Sequence, residues 1–127
     1  MISVVVPTYN HRDFVLQALE SAFAQTFTDI EVIVVNDGSG DDTEALLRPL
    51  VQAGRIAYLE QENQGQAAAR NRGWQAARGK YVAFLDDDDL WPPGKLEWQA
   101  RVLEEQPQTV LVYGPPSRLH PDGTISA

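Results

Sequence analysis

Cysteine is absent from the 127-residue sequence, and histidine occurs only at His11 and His120. The lack of cysteine excludes disulfide bonds, thiolate metal sites and a cysteine nucleophile, and it is typical of proteins from reducing compartments. Two histidines this far apart in the chain do not form the ligand cluster of a zinc site. The composition therefore fits a protein of a reducing compartment.

Long apolar runs are also missing, since no stretch approaches the roughly 20 residues that a membrane-spanning helix needs. The chain passes from Met1 directly into a strand-like run, without the basic segment and small-residue cleavage site of a signal peptide. We therefore expect no transmembrane segment in this chain.

Positive charge is scarce: 10 Lys and Arg residues stand against 18 Asp and Glu residues, which gives a formal net charge of -8. Nucleic acids and anionic membranes are bound by clustered Lys and Arg, so we expect neither as a partner. A phosphate ligand would then need a metal ion to bridge it to the protein. At this length, we expect residues 1–127 to form one domain with a real core.

Apolar runs alternate with amphipathic segments along the chain. Predicted strands cover residues 2–6, 30–35, 56–59, 81–85 and 110–113, and Pro7 is expected to end the first. Predicted helices start near Asn10 or Asp13, at Asp41 or Asp42, near Gln66 and at Pro92–Pro93. Alternating strands and helices predict an α/β fold with a mainly parallel sheet and helices on both faces.

The third predicted helix carries only small residues on one face, namely Ala69, Gly73, Ala76 and Ala77. Such a face lets a helix lie unusually close to its neighbour. Farther along, Pro121-Asp122-Gly123 predicts a turn near the end of the chain.

Polar segments follow four of the predicted strands, at residues 8–10, 36–39, 60–63 and 86–89. The carboxyl ends of parallel strands meet at one edge of a sheet, where α/β proteins bind ligands. We therefore expect these segments to share one rim and to form a binding site.

The most unusual segment on this rim is the run of four aspartates, Asp86 to Asp89, at the end of a buried strand. Adjacent carboxylates repel one another, and a hard divalent ion with oxygen ligands would relieve that repulsion. The alternative interpretation is a solvated acidic loop. Asp37 follows a second strand, where it could accept hydrogen bonds from a base or ribose, or else cap the turn at Gly38.

Two common nucleotide-binding motifs are absent. Gly38 and Gly40 follow a strand, but Thr43 stands where the third glycine of a dinucleotide fingerprint would fall. No glycine-rich loop ends in Lys-Ser or Lys-Thr, so a P-loop is excluded. A metal bridging the aspartates to a diphosphate remains the preferred way to hold phosphate, with the ion acting as a Lewis acid.

Four segments together resemble glycosyltransferase family 2: residues 3–10, residues 34–39, residues 63–65 with 69–73, and residues 84–89. The resemblance covers residues 2 to about 114. It implies the GT-A fold, a Rossmann-like α/β domain, and transfer of a sugar from a nucleotide diphosphate donor, usually with inversion.

By this resemblance the donor, expected to be a UDP-sugar, is bound by Pro7, Thr8, Tyr9, Asp37, Arg70, Asp86 and Asp87, and the metal by Asp88. In that scheme Thr8 and Tyr9 line the base pocket, and Asp37 contacts the uracil. Asp86 or Asp87 contacts the ribose or the water shell of Mn²⁺ or Mg²⁺. Arg70 lies near the diphosphate, with a solvated helix charge as its alternative. Because all four positions are aspartate, the register of the family's Asp-x-Asp signature is open.

Family members carry their general base beyond the donor-binding half, so we expect the base beyond residue 127 and the chain to be the N-terminal part of a longer enzyme. Such enzymes build polysaccharides, lipid-linked glycans or glycoproteins, which implies cell-envelope synthesis at the cytoplasmic face of a membrane. The acceptor stays open. The alternative is a non-catalytic nucleotide-sugar-binding module or a regulatory remnant.

Aromatic and imidazole side chains have less specific interpretations. Trp74, Trp91 and Trp98 are expected in packing roles, with Trp91 as a candidate wall of a sugar pocket because it follows the aspartates. His11 is interpreted as a local turn or cap residue rather than a base.

Overall fold

The computed structural model describes residues 1–126. Strands and helices alternate in the order β1 (Ile2–Thr8), α1 (Arg12–Phe23), β2 (Ile30–Asn36), α2 (Thr43–Gln52), β3 (Ala57–Glu60), α3 (Gln66–Ala76), β4 (Tyr81–Phe84) and α4 (Lys95–Glu105). A short hairpin follows, formed by β5 (Arg118–Leu119) and β6 (Ile125–Ser126). Within residues 1–126 no helix has the length and apolarity needed to cross a bilayer.

The first four strands form one parallel sheet in the order β3-β2-β1-β4. Successive residues of β2 alternate between two apolar cores: Val32 and Val34 join the core with α1, α2 and α4, and Ile33 and Val35 join the core with α3. A strand covered on both faces needs an apolar residue at nearly every position. The predicted α/β fold with helices on both faces is therefore confirmed.

Strand β1 runs two residues farther than the sequence predicts, through the buried residues Pro7 and Thr8. Proline normally interrupts a sheet because it has no amide hydrogen to donate. The Val5 carbonyl accepts a hydrogen bond from the Leu85 amide, on the side of β1 that faces β4. The backbone groups of Pro7, two residues farther along the strand, face the same side. The pairing of β1 with β4 has already ended there, at Val5. Pro7 therefore costs no ladder hydrogen bond.

The prediction of a fifth strand at residues 110–113 is wrong. This segment contains no strand, and Val110, Leu111 and Tyr113 are 95%, 74% and 82% exposed. Strand propensity reflects packing and pairing with neighbours more than any intrinsic backbone preference. In the described part of the chain this apolar run lacks a paired strand, so its composition does not make it one.

Helix α2 begins directly after Asp41 and Asp42, as predicted, and the Asp41 carboxylate accepts a hydrogen bond from the Thr43 amide at 3.1 Å. Helix α1 starts between Asn10 and Asp13, as predicted, but neither side chain caps it, and His11, which precedes the helix, makes no capping hydrogen bond either. Asn10 instead has a φ of 55° and accepts a hydrogen bond from the Gly40 amide, 2.7 Å away. Asn10 therefore connects the loop after β1 to the loop after β2 instead of closing its own helix. The turn predicted at Pro121-Asp122-Gly123 is confirmed by the β5–β6 hairpin.

Helix α3 lies directly against the sheet, as its small residues predict. A Cβ atom placed on Gly73 would lie 2.3 Å from Cγ1 of Val5 and 3.2 Å from Cγ2 of Val35. Only glycine fits at this contact. The close approach matters for function because the same helix carries Arg70 to the rim of the sheet.

We predict that Gly73→Ala lowers the free energy of unfolding, measured by urea denaturation. Overpacking a core typically costs about 1–3 kcal/mol, and the higher helix propensity of alanine returns at most about 1 kcal/mol of that. Gly40→Ala is the matched control, because its Cβ would meet only Asn10 Oδ1, at an ordinary 3.9 Å. Equal stability of the two variants would contradict the packing argument.

A second stabilising contact involves Glu31, near the start of β2. Its carboxylate accepts hydrogen bonds from Ser3 Oγ at 2.6 Å and from the Arg78 amide at 2.7 Å, and it pairs with the Arg78 guanidinium at 3.1 Å. Burial raises the pKa of Glu31, but these hydrogen bonds and the Arg78 charge outweigh burial and hold the pKa below its ordinary value of 4.5.

Glu31→Gln should therefore destabilise the protein at neutral pH by about 1–3 kcal/mol, the range for hydrogen bonds to a charged group. A lowered folded-state pKa gives stability that is complete above the unfolded-state pKa and is lost as the pH falls through the folded value. The difference between wild type and variant in urea denaturation should thus shrink as the pH falls from 7 to about 3. Glu20→Gln, at an exposed helix position, serves as the control and should show no such pH-dependent difference.

Candidate functional site

The polar segments that follow β1 to β4 lie at one edge of the sheet, as predicted. Hydrogen bonds join them directly: Asn10 to Ser39 between the first two loops, Asp37 to Gln61 between the second and third, and Thr8 to Asp87 between the first and fourth. Because the four strands are parallel and adjacent, these contacts form a continuous rim at their carboxyl ends.

Asp87 is the buried aspartate of the acidic loop, with 7% of its surface exposed. Its Oδ2 accepts hydrogen bonds from Thr8 Oγ1 at 2.9 Å and from the Tyr9 amide at 3.2 Å. Its Oδ1 lies 2.7 Å from Nδ1 of His11. Both carboxylate oxygens are therefore used to hold the loop after β4 against the loop after β1.

Asp86 faces α3 instead. Its Oδ1 accepts hydrogen bonds from Arg70 Nη2 at 2.8 Å and from Gln66 Nε2 at 3.0 Å. Arg70 is therefore an ion-paired rim residue rather than a solvated helix charge. Its Nε is buried and, among residues 1–126, has no hydrogen-bond partner, so Arg70 keeps a donor for which the protein supplies no acceptor.

Asp88 and Asp89, which directly follow these anchored aspartates, are exposed. Burial raises the pKa of Asp89, and the charges of Asp86, Asp88 and Asp87 raise it further. The loop therefore concentrates negative charge that its protein contacts do not fully neutralise.

The rim contains one group of side chains suited to a metal ion. An imidazole nitrogen of His11 and carboxylate oxygens of Asp87 and Asp88 lie within 4.8 Å of one another. Carboxylate oxygens suit Mg²⁺ and Mn²⁺, and an imidazole nitrogen also suits later transition metals. The donor set fits a small divalent cation.

Asp37 is buried at the end of β2, with 3% of its surface exposed. Its carboxylate accepts hydrogen bonds from Gln61 Nε2 and the Gln64 amide, both at 2.8 Å, and from the Gly65 amide at 3.0 Å. Burial raises the pKa of Asp37, but these three donors outweigh burial and leave the pKa below its ordinary value. Asp37 therefore holds the loop that leads into α3.

The alternative role of Asp37, capping the turn at Gly38, is wrong, because Asn36 closes that turn by accepting the Ser39 amide at 3.0 Å. An open cleft of about 570 Å³ lies beside the turn at Gly38 and is lined by Gly38 and residues 60–63.

The remaining predicted donor residues have unequal access to the rim. Tyr9 is 46% exposed, whereas Thr8 is buried with its hydroxyl bonded to Asp87, and Pro7 lies within β1. Trp91 belongs to the core, as expected of a packing residue, and the Lys95 ammonium lies 4.5 Å from its ring centroid. Trp74 and Trp98 are 57% and 41% exposed.

His11 is the site residue that the sequence interpretation missed. Its side chain contacts Asp87 at the rim and makes no capping hydrogen bond to α1. The hydrogen bond to Asp87 raises the pKa of His11; burial opposes this shift, and the charges of Asp87, Asp88 and Asp41 add to it. The available signal was its place directly after the first rim loop, but a partner 76 residues away is not visible in the sequence.

Comparison with known proteins matches residues 3–125 to the profile of "Glycosyl transferase family 2". An uncharacterized glycosyltransferase of Rickettsia bellii is 44% identical over 104 residues, which cover 82% of this chain and 15% of that protein. The chain spans 15% to 43% of the length of the first curated relatives it matches.

Solved structures show the same fold. The structure of Staphylococcus aureus TarS 1-349 in complex with UDP-GlcNAc aligns with a TM-score of 0.76 and 28% identity, covering 93% of this chain and 37% of that one. The Pyrobaculum calidifontis mannosyltransferase PcManGT, solved with GDP-Man and Mn²⁺, aligns with a TM-score of 0.65 and 29% identity, covering 78% of this chain and 32% of that one.

We predict that Asp37→Asn loosens the loop after β3, because an amide replaces one of the two accepting oxygens. Loss of a hydrogen bond to a charged group costs about 1–3 kcal/mol. Hydrogen exchange at the Gln64 and Gly65 amides should then accelerate by at least about fivefold. Asp13→Asn, at an exposed position in α1, is the control. Unchanged exchange at both amides would mean that Asp37 does not hold this loop.

Proposed function

Because the chain belongs to glycosyl transferase family 2, we propose that it binds a nucleotide diphosphate sugar through a divalent metal ion, as the donor-binding part of a sugar-transferring enzyme. The observation that carries this proposal is the unequal use of the four aspartates at the rim. Two of them are committed to holding the loop, which leaves Asp88 exposed and unpaired beside them in the described part of the chain.

The metal in this proposal is Mn²⁺ or Mg²⁺, and Asp88 is its ligand from the acidic loop. Asp86 or Asp87 then contacts the ribose or the water shell of the ion. When bound, the ion supplies Lewis-acid stabilisation of the negative charge on a departing diphosphate. Support comes from PcManGT, which was solved with GDP-Man and Mn²⁺.

Arg70 supplies a second positive group for the diphosphate. Its guanidinium contacts Asp86 through Nη2, and its side chain remains partly exposed at the rim. A planar guanidinium can bind a carboxylate and a phosphate oxygen through different N–H groups. We therefore place the diphosphate between Arg70 and the ion at Asp88, with the base toward Pro7, Thr8, Tyr9 and Asp37.

UDP is the nucleotide we propose first, supported by the TarS complex with UDP-GlcNAc. A role in cell-envelope synthesis and a cytoplasmic location stay predictions, and no particular sugar or acceptor is proposed. Inversion stays a prediction as well, because it requires a carboxylate base on the acceptor side of the sugar. None of residues 1–126 is assigned that role.

The decisive experiment is isothermal titration calorimetry of UDP with the 127-residue chain, in Mn²⁺ and in EDTA. We expect Mn²⁺ to strengthen UDP binding. In Mn²⁺, Asp88→Asn should bind UDP at least about tenfold more weakly than the wild type, a loss of about 1.4 kcal/mol. The matched control is Asp29→Asn. Asp29 is 72% exposed and directly precedes β2, at the end of the strand opposite to the rim. This variant should bind UDP like the wild type.

Two results would count against the proposal. One is UDP binding of equal strength in Mn²⁺ and in EDTA, which would mean that no metal joins the nucleotide to the aspartates. The other is an unchanged affinity of Asp88→Asn, which would return the acidic loop to the role of a solvated surface. If UDP fails to bind, GDP is tested in the same way, and failure of both nucleotides rejects the proposal.

A further inference from the structure

The imidazole of His11 makes two contacts that restrict its orientation. Nδ1 lies 2.7 Å from Asp87 Oδ1. The ring also meets the Phe14 ring edge-on, with centroids 5.9 Å apart and an interplanar angle of 86°. A side chain fixed in this way loses little rotamer entropy when it binds a ligand.

The hydrogen bond to Asp87 also determines which nitrogen is available. The other oxygen of Asp87 accepts from Thr8 and Tyr9, so Asp87 acts as an acceptor throughout, and Nδ1 must carry the hydrogen. In the neutral imidazole this leaves a lone pair on Nε2. Within residues 1–126, Nε2 of His11 has no hydrogen-bond partner, so the lone pair is free.

A carboxylate that accepts from one nitrogen of a histidine while the other nitrogen binds a metal is the usual second-shell arrangement of metalloproteins. Asp87 is suited to this role because its side chain is only 9% exposed and it is anchored on β1. Asp88, the neighbouring residue, has an exposed carboxylate, and one of its oxygens lies within 4.8 Å of an imidazole nitrogen of His11 and of an oxygen of Asp87.

We propose that His11 is a direct ligand of the divalent ion, through Nε2, together with Asp88, and that Asp87 is the positioning residue that orients the imidazole. This inference rests on the proposed function, since it concerns the same ion. It adds a nitrogen ligand from the loop after β1 to the oxygen ligands of the acidic loop, so the metal joins the ends of two neighbouring strands.

A nitrogen ligand has a consequence that oxygen ligands alone do not have. Imidazole favours later transition metals, whereas carboxylate and water suit Mg²⁺ and Mn²⁺. The site should therefore prefer Co²⁺ over Mg²⁺ by more than an aspartate-only site would, and removing His11 should reduce the affinity for Co²⁺ by a larger factor than the affinity for Mg²⁺.

The test uses the 127-residue chain loaded with Mn²⁺ and UDP, and detects nitrogen bound to the ion by pulsed electron paramagnetic resonance. His11→Gln is the main variant, because its amide can still donate to Asp87 but offers no imidazole nitrogen. His120→Gln removes the other histidine, in the β5–β6 hairpin, and is the matched control. Circular dichroism checks that both variants fold.

We expect a ¹⁴N coupling in the wild type and in His120→Gln, and its loss in His11→Gln. Calorimetry should show Mn²⁺ affinity falling by at least about tenfold in His11→Gln, since even outer-shell partners of metal ligands typically carry that much. The loss should be larger for Co²⁺ than for Mg²⁺.

The outcomes separate this inference from the proposed function. If Mn²⁺ strengthens UDP binding but the wild type shows no ¹⁴N coupling, His11 is not a ligand, while the proposed function stands. A coupling that persists in His11→Gln overturns the inference in the same way. If the wild type binds no Mn²⁺ in the presence of UDP or GDP, both proposals fail together.

Discussion

The buried carboxylate of Asp87 is the interaction on which the arrangement of the rim depends. Strands β1 and β4 are neighbours in the sheet, but β4 is short and pairs only with residues 2–5 of β1. Beyond that point the two segments are joined through the Asp87 carboxylate, which accepts hydrogen bonds from Thr8, Tyr9 and His11. A buried carboxylate is tolerated only when donors compensate its lost hydration. Three donors, from the end of β1 and the loop that follows it, therefore hold the acidic loop in place.

This arrangement gives four identical residues different surroundings. Asp87 is buried among neutral donors and an imidazole, Asp86 pairs with Arg70, and Asp88 and Asp89 remain exposed. Mutual repulsion raises the pKa of Asp89 in addition to burial. Charge that the protein leaves uncompensated can be relieved by a cation, and the anchored neighbours keep the exposed carboxylates in position for one.

Helix α3 contributes to the rim through close packing. Gly73 lets the helix backbone approach β1 and β2, and one turn earlier Arg70 then reaches the Asp86 carboxylate. The start of the same helix is held by Asp37, which accepts the Gln64 and Gly65 amides. The position of Arg70 therefore depends on a small residue inside the core and on a buried carboxylate at the end of β2.

Local patterns were sufficient to predict the α/β fold, the four parallel strands, the shared rim and the close packing of α3. These features follow from hydrophobic periodicity and residue size, which can be read from short stretches of the sequence. Local patterns could not assign separate roles to Asp86, Asp87 and Asp88, which have the same chemistry and adjacent places in the chain. Those roles depend on partners 16 to 79 residues away. The same reason explains the error at residues 110–113 and the missed His11: pairing, burial and ligand geometry belong to the folded chain, where distant segments meet.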